Sequence, residues 1–113
     1  MTMTNKYPVG TPVPLLLAAA AVSGVPFLQG TMAVVPVTDG AIGDTIAVEI
    51  DGIHRDMPKV TGTAWTAGQA LYWDVVADKF THTANSGANP RVGTATEPAA
   101  SGDATGVVKL GQF

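Results

Sequence analysis

Turn residues interrupt this chain so often that no ordinary helix fits into it beyond residue 23. Thirteen glycines and eight prolines are spread over 113 residues. Glycine weakens a helix and proline breaks it, and no apolar pattern of helical period survives for ten residues between them. Short runs of β-branched and aromatic residues remain, each bounded by a turn signal. Val25–Leu28 leads into Gln29-Gly30, and Met32–Val37 is followed by Asp39-Gly40. This spacing predicts an all-β fold, a small barrel or sandwich of short antiparallel strands.

Thr45–Ile50 alternates cleanly, with Ile46, Val48 and Ile50 on one face and Thr45, Ala47 and Glu49 on the other. Asp51-Gly52 then signals a two-residue hairpin. Closed in that way, Ile50 faces Ile53, Glu49 faces His54, Val48 faces Arg55 and Ile46 faces Met57. Arg55 would then lie on the apolar face, so either a bulge re-aims it or a partner's carboxylate meets it; the bulge is favoured. Leu71–Asp74 and Lys79–Thr83 predict a second hairpin across Val75–Asp78. Asn85–Pro90 reads as a loop. Arg91–Glu97 alternates as Val92, Thr94 and Thr96 against Gly93, Ala95 and Glu97, and Thr105–Leu110 makes a last strand.

Met1–Pro14 contains Pro8, Pro12 and Pro14 and one charge, Lys6. Proline at this density favours extended chain, so residues 1–14 read as an N-terminal arm and 15–113 as a single β domain. Leu15–Val22 is a continuous apolar run, far shorter than the ~20 residues that cross a bilayer. Ala20-Ala21-Val22-Ser23 could pass for a signal-peptide cleavage site, which would make this a small secreted β protein. Three prolines and a single lysine ahead of the run fit that poorly. A buried strand turning at Ser23-Gly24 is the better reading.

Met57–Asp74 holds both tryptophans, Trp65 and Trp73, together with Tyr72, punctuated by Gly62 and Gly68. Aromatics of this size anchor a core or an interface. Charged residues make up 13% of the chain, against roughly 25% for a typical soluble domain. So short a chain cannot hide all of its small apolar surface inside one copy, so part of the surface is expected to be covered by other protein. A net charge of −3 offers no basic footprint for nucleic acid.

Little in the sequence suggests chemistry. There is no cysteine, which excludes disulfides and thiolate sites. The aspartates sit mostly at turns, where carboxylates bond local backbone N–H groups. His54 and His82 lack further ligands at metal-binding spacing. No nucleophile elbow or phosphate-binding glycine loop is present. The expectation is a non-enzyme with no cofactor and no metal.

Several pieces form an ordered series: Val22-Ser-Gly-Val-Pro-Phe-Leu-Gln-Gly30, Gly43-Asp44 opening an Ile/Val-rich strand, Asp51-Gly-Ile, Pro58-Lys59, Gly62-Thr-Ala-Trp65, Gly68-Gln-Ala-Leu-Tyr-Trp-Asp74 and Val92-Gly-Thr-Ala. Over roughly residues 20–110 this resembles the capsid cement, or head decoration, proteins of tailed bacteriophages, a group also catalogued as the domain of unknown function DUF2190. The apolar Leu15–Ala21 run departs from that pattern. The resemblance implies a structural virion protein on the outer capsid surface, made in the host cytoplasm, that clamps neighbouring major capsid subunits. It implies a homo-oligomer, with trimers favoured and dimers open, and no nucleic-acid or membrane partner. Candidate interface residues are Tyr7, Pro8 and Pro12 in the arm, with Arg55, Trp65, Tyr72 and Trp73; core packing is the alternative for the two tryptophans. The competing function is a host-attachment or carbohydrate-binding β module displayed on the particle.

Overall fold

The alternation in Thr45–Glu49 survives folding, with Ile46 and Val48 buried between exposed Thr45 and Ala47. Met57 is also buried, but in a different core. That divergence divides the molecule. The computed structural model describes residues 11–111, and within them the all-β expectation holds. The strands are β1 (Val13–Leu16), β2 (Phe27–Gln29), β3 (Met32–Pro36), β4 (Thr45–Glu49), β5 (Gly52–Pro58), β6 (Ala70–Asp74), β7 (Lys79–Thr81), β8 (Arg91–Ala95) and β9 (Thr105–Leu110). A single 3-10 turn at Asn85–Gly87 falls in the expected loop. They build two antiparallel sheets, of order β1-β4-β3-β2 and β5-β9-β8-β6-β7.

The hairpin expected at Asp51-Gly52 does not form. β4 pairs with β1 and β3, whereas β5 pairs with β9 from Gly52↔Leu110 to Pro58↔Thr105. Gly52 does take the positive φ, 84°, that the dipeptide signals, but it turns the chain from one sheet into the other. The physical reason is burial. A hairpin would put Ile53 beside Ile50 on an inward face, yet Ile53 is largely exposed. The expected Glu49–His54 pair is replaced by a bond between His54 Nε2 and the Asp51 carbonyl at 2.9 Å. The expected bulge is present: pairing slips between His54 and Met57, and Asp56 sits at φ 57°. Arg55 shares the exposed face of Ile53, where its Nη1 lies 3.3 Å from Glu97 Oε2, and what the bulge turns is Met57, which it brings into the core.

The β6–β7 hairpin forms as expected, with Trp73 opposite Phe80. Their rings meet edge to face, 5.0 Å between centroids. At β8 the expected alternation breaks, because the register on β6 slips where Leu71 faces Gly93 and Tyr72 faces Arg91. Val92 is the extra residue of that bulge, so Val92, Gly93 and Ala95 are all buried. Beyond β5, Val60 N–H donates to the Phe80 carbonyl at 2.9 Å, bringing the end of the first strand of this sheet to β7. The five-stranded sheet thus rolls most of the way into a barrel. Its core is Met57, Trp65, Leu71, Trp73, Phe80, Val92, Val108 and Leu110, covered on one side by Leu28, Ala33 and Val35 from the other sheet.

The four-stranded sheet encloses a second core of Leu17, Ala21, Val34, Ile46 and Val48. Strand β1 is shorter than the Leu15–Val22 run suggested and also takes in Val13 and Pro14. After Leu16 the chain bends, because its partner β4 starts at Thr45, the residue facing Leu16. Ala21 rejoins the fold through a bridge to Gly40. A Cβ on Gly40 would come within 2.7 Å of Leu17 and 2.9 Å of Ile46, so only glycine lets the chain pass this close. The expected turn at Ser23-Gly24 is present, with Gly24 at φ 78°.

Candidate interaction surface

The two candidate tryptophans, Trp65 and Trp73, lie inside the protein: each is 2% exposed. Trp65 fits against the backbone of β9, where a Cβ on Gly106 would approach its ring to 2.3 Å. Above the same ring, 5.6 Å from its centroid, sits the ammonium of Lys59. Lys59 is fully buried, and its Nζ donates to the carbonyls of Val60, Thr63 and Asp103. A lysine held by backbone carbonyls and an indole ties the β5–β6 loop to the β8–β9 loop. This is scaffold, and both tryptophans belong to the core, not to the surface. Tyr72 is half-buried on β6, Arg55 is exposed in its pair with Glu97, and Pro12 is exposed just ahead of β1. Tyr7 and Pro8 lie outside the described residues. The candidates are therefore not gathered into one site.

Turn chemistry accounts for several acids. The carboxylates of Asp44, Asp74 and Asp103 accept N–H bonds from Ala41, from Val76 and Ala77, and from Ala100, and Asp39 accepts from Ser23. Among the described residues, no three His, Asp or Glu side chains are grouped as metal ligands. A cleft of about 430 Å³ between β2 and the β6–β7 turn is lined by Val25, Phe27, Leu28, Trp73, Val75 and Asp78. Its walls are nearly all aliphatic or aromatic, without the convergent polar groups that orient a small ligand.

The surface itself carries the stronger signal. From Tyr7 to Thr38, 32 residues, the sequence has no charged residue and no histidine. All nine acids and five of the six bases follow, so residues 39–113 bear a net charge of −4. The neutral stretch supplies β1, β2, β3 and their loops, and with them Leu16, Val22, Val25 and Val37, all exposed large aliphatic side chains. Ile42, 71% exposed, stands beside them. Its turn is held to β1 by bonds from Leu17 N–H to the Asp44 carbonyl and from Gly43 N–H to the Leu17 carbonyl. Hydrogen bonds from Ser23 to Asp39 and to the Val37 carbonyl fix Val22 and Val37 in the same region. The large aromatics lie in the other half of the chain; the charge-free run is the sequence signal that marks this surface.

Fold and surface together define a small all-β protein whose buried groups are structural and whose outer face on one sheet is largely aliphatic and poor in charge. The family model for phage cement proteins matches residues 10–110. This chain belongs to that family, and its role is structural, in a phage capsid. No curated protein and no solved structure matches it.

Proposed function

We propose that the chain binds the outer surface of a tailed-phage capsid and stabilises contacts between major capsid subunits, without catalysis. One observation carries this reading beyond the family: an aliphatic surface, poor in charge, left exposed on the β1–β4 half of a fold that already holds two cores of its own. Removing about 400 Å² of apolar surface from water is worth on the order of 10 kcal/mol. Association costs of about 4–15 kcal/mol offset much of that. A single copy therefore binds modestly, and stabilisation of a shell comes from many copies acting together.

In this reading the protein acts as a homo-oligomer, a trimer before a dimer, since closed symmetry suits a lattice of repeated joints. The chain from Val13 on acts as one β domain, Val13 and Pro14 being paired with β4, and the proline-rich segment before it is the arm that reaches a neighbouring subunit. The alternative of a carbohydrate-binding module draws no support from the aromatics, because Trp65 and Trp73 are buried and the exposed large apolar residues are aliphatic.

The experiment is reconstitution. Capsids lacking this chain are heated with and without the purified protein, and release of DNA is followed. The protein should raise the temperature of release. Equal release temperatures at saturating protein would reject the proposal.

A further inference from the structure

The four-stranded sheet has two faces, and strand register assigns each residue to one. Directly opposed residues share a face, so the pairs Pro14↔Ala47, Leu16↔Thr45, Val35↔Glu49 and Leu28↔Ala33 place those eight residues together. The face they form has two fates. Where β2 and β3 carry it, Leu28, Ala33 and Val35 pack onto the larger core. Where β1 and β4 carry it, Pro14, Leu16, Thr45 and Ala47 are exposed. Leu16 is 61% exposed. Val37 N–H donates to the Ala47 carbonyl, which extends the same surface beyond β3. One sheet face is thus half covered by this chain's own core and half left open, with Glu49 the charge at their boundary.

We infer that this open half-face, centred on Ala47 and bounded by Pro14, Leu16, Val37 and Ile42, is the docking surface, and that its occupant is an uncharged, apolar strip of the major capsid protein. The inference rests on the cement reading and adds the face and the chemistry of its partner. Charge makes the case. Away from Glu49 at its boundary, the open half-face desolvates without an uncompensated ion, and it favours a partner that also lacks charge. The remaining body, at net −4, is left toward solvent, where like charges keep neighbouring copies from sticking edge to edge. Binding through such a face is insensitive to salt, or is strengthened by it, unlike a contact steered by charge.

The test uses the full chain and capsids lacking it. Ala47→Asp, Ala47→Lys and Val37→Asp are compared with wild type and with Val76→Asp, a change at a residue 87% exposed on the β6–β7 turn. Thermal melting and sedimentation of each free protein are measured alongside. Both Ala47 variants and Val37→Asp should bind capsids at least tenfold more weakly with unchanged melting and sedimentation, and Val76→Asp should bind as wild type. Wild-type affinity should hold or rise between about 0.05 and 0.5 M salt. Wild-type affinity in Ala47→Asp overturns the inference. So does tighter binding by Ala47→Lys, which would make the partner acidic. Loss of a homo-oligomer in the Ala47 variants would assign the face to a second copy instead, and overturns it too. If wild type itself fails to bind, the cement reading falls first and this inference with it.

Discussion

Gln29 on β2 and Leu16 on β1 stand at opposite edges of one sheet, yet the Gln29 side-chain Nε2 donates to the Leu16 carbonyl at 2.8 Å. Its Oε1 accepts from Ala18 N–H at 3.0 Å. A single amide therefore bonds to the edge of β1 as a facing strand residue would. The two bonds tie the end of β1 to the end of β2 across the open side of the sheet, curving it around its core.

Gln29→Ala removes both bonds and should cost about 1–2 kcal/mol. Since each kcal/mol moves the midpoint of a small domain by about 4–8 °C, melting should fall visibly, with faster amide exchange at Ala18. Gln29→Glu adds a pH signature. The carboxyl can still accept from Ala18 N–H, but only its protonated form can donate to the Leu16 carbonyl. The folded state then binds that proton more tightly than the unfolded chain does. The deficit relative to wild type should be smallest in acid and should grow as pH rises through the carboxylate range. A pH-independent deficit in paired thermal melts would contradict the latch.

Lys59→Ala strips the donor from three backbone carbonyls and opens a cavity beside Trp65. Burying an ammonium is costly, but an orphaned carbonyl costs about 1–3 kcal/mol, and the lost stem adds a cavity term. The expected net loss is about 3 kcal/mol, read by urea unfolding. A neutral result would show that the carbonyls are satisfied in some other way.

Gly106→Ala tests the close packing of β9 against Trp65. The added methyl would meet Trp65 Cζ2 at 2.3 Å, and a ring buried to this degree has nowhere to move. Overpacking of this kind costs about 1–3 kcal/mol. The variant should melt at lower temperature, with a changed tryptophan emission. Gly102→Ala, where no atom lies within 4 Å, serves as the control and should melt close to wild type.

Much of the fold was legible because its signals are local. The β6–β7 hairpin and the last strand Thr105–Leu110 follow from alternation and turn residues alone. The partners of β4 and β5 did not, because Asp51-Gly52 specifies a positive φ at Gly52 and nothing about which strand comes next. That choice is made by burial: Ile46 and Val48 fill one core and Met57 another, a fact spread over both sheets. Leu15–Val22 misled for a related reason. Its strand can run only as far as β4 offers residues to pair with. The candidate surface was partly legible as well. Low charge pointed to covered surface, but the location lay in where charges are missing, from Tyr7 to Thr38, and not in where the tryptophans are. Large aromatics signal burial, and in a chain of 113 residues the core takes them first.

The cement assignment makes a stoichiometric claim, and quantitative mass spectrometry of purified virions measures it directly. Counted against the major capsid protein, this chain should be present in comparable copy number, as a protein that covers repeated subunit joints must be. A handful of copies per particle, or none, would contradict it.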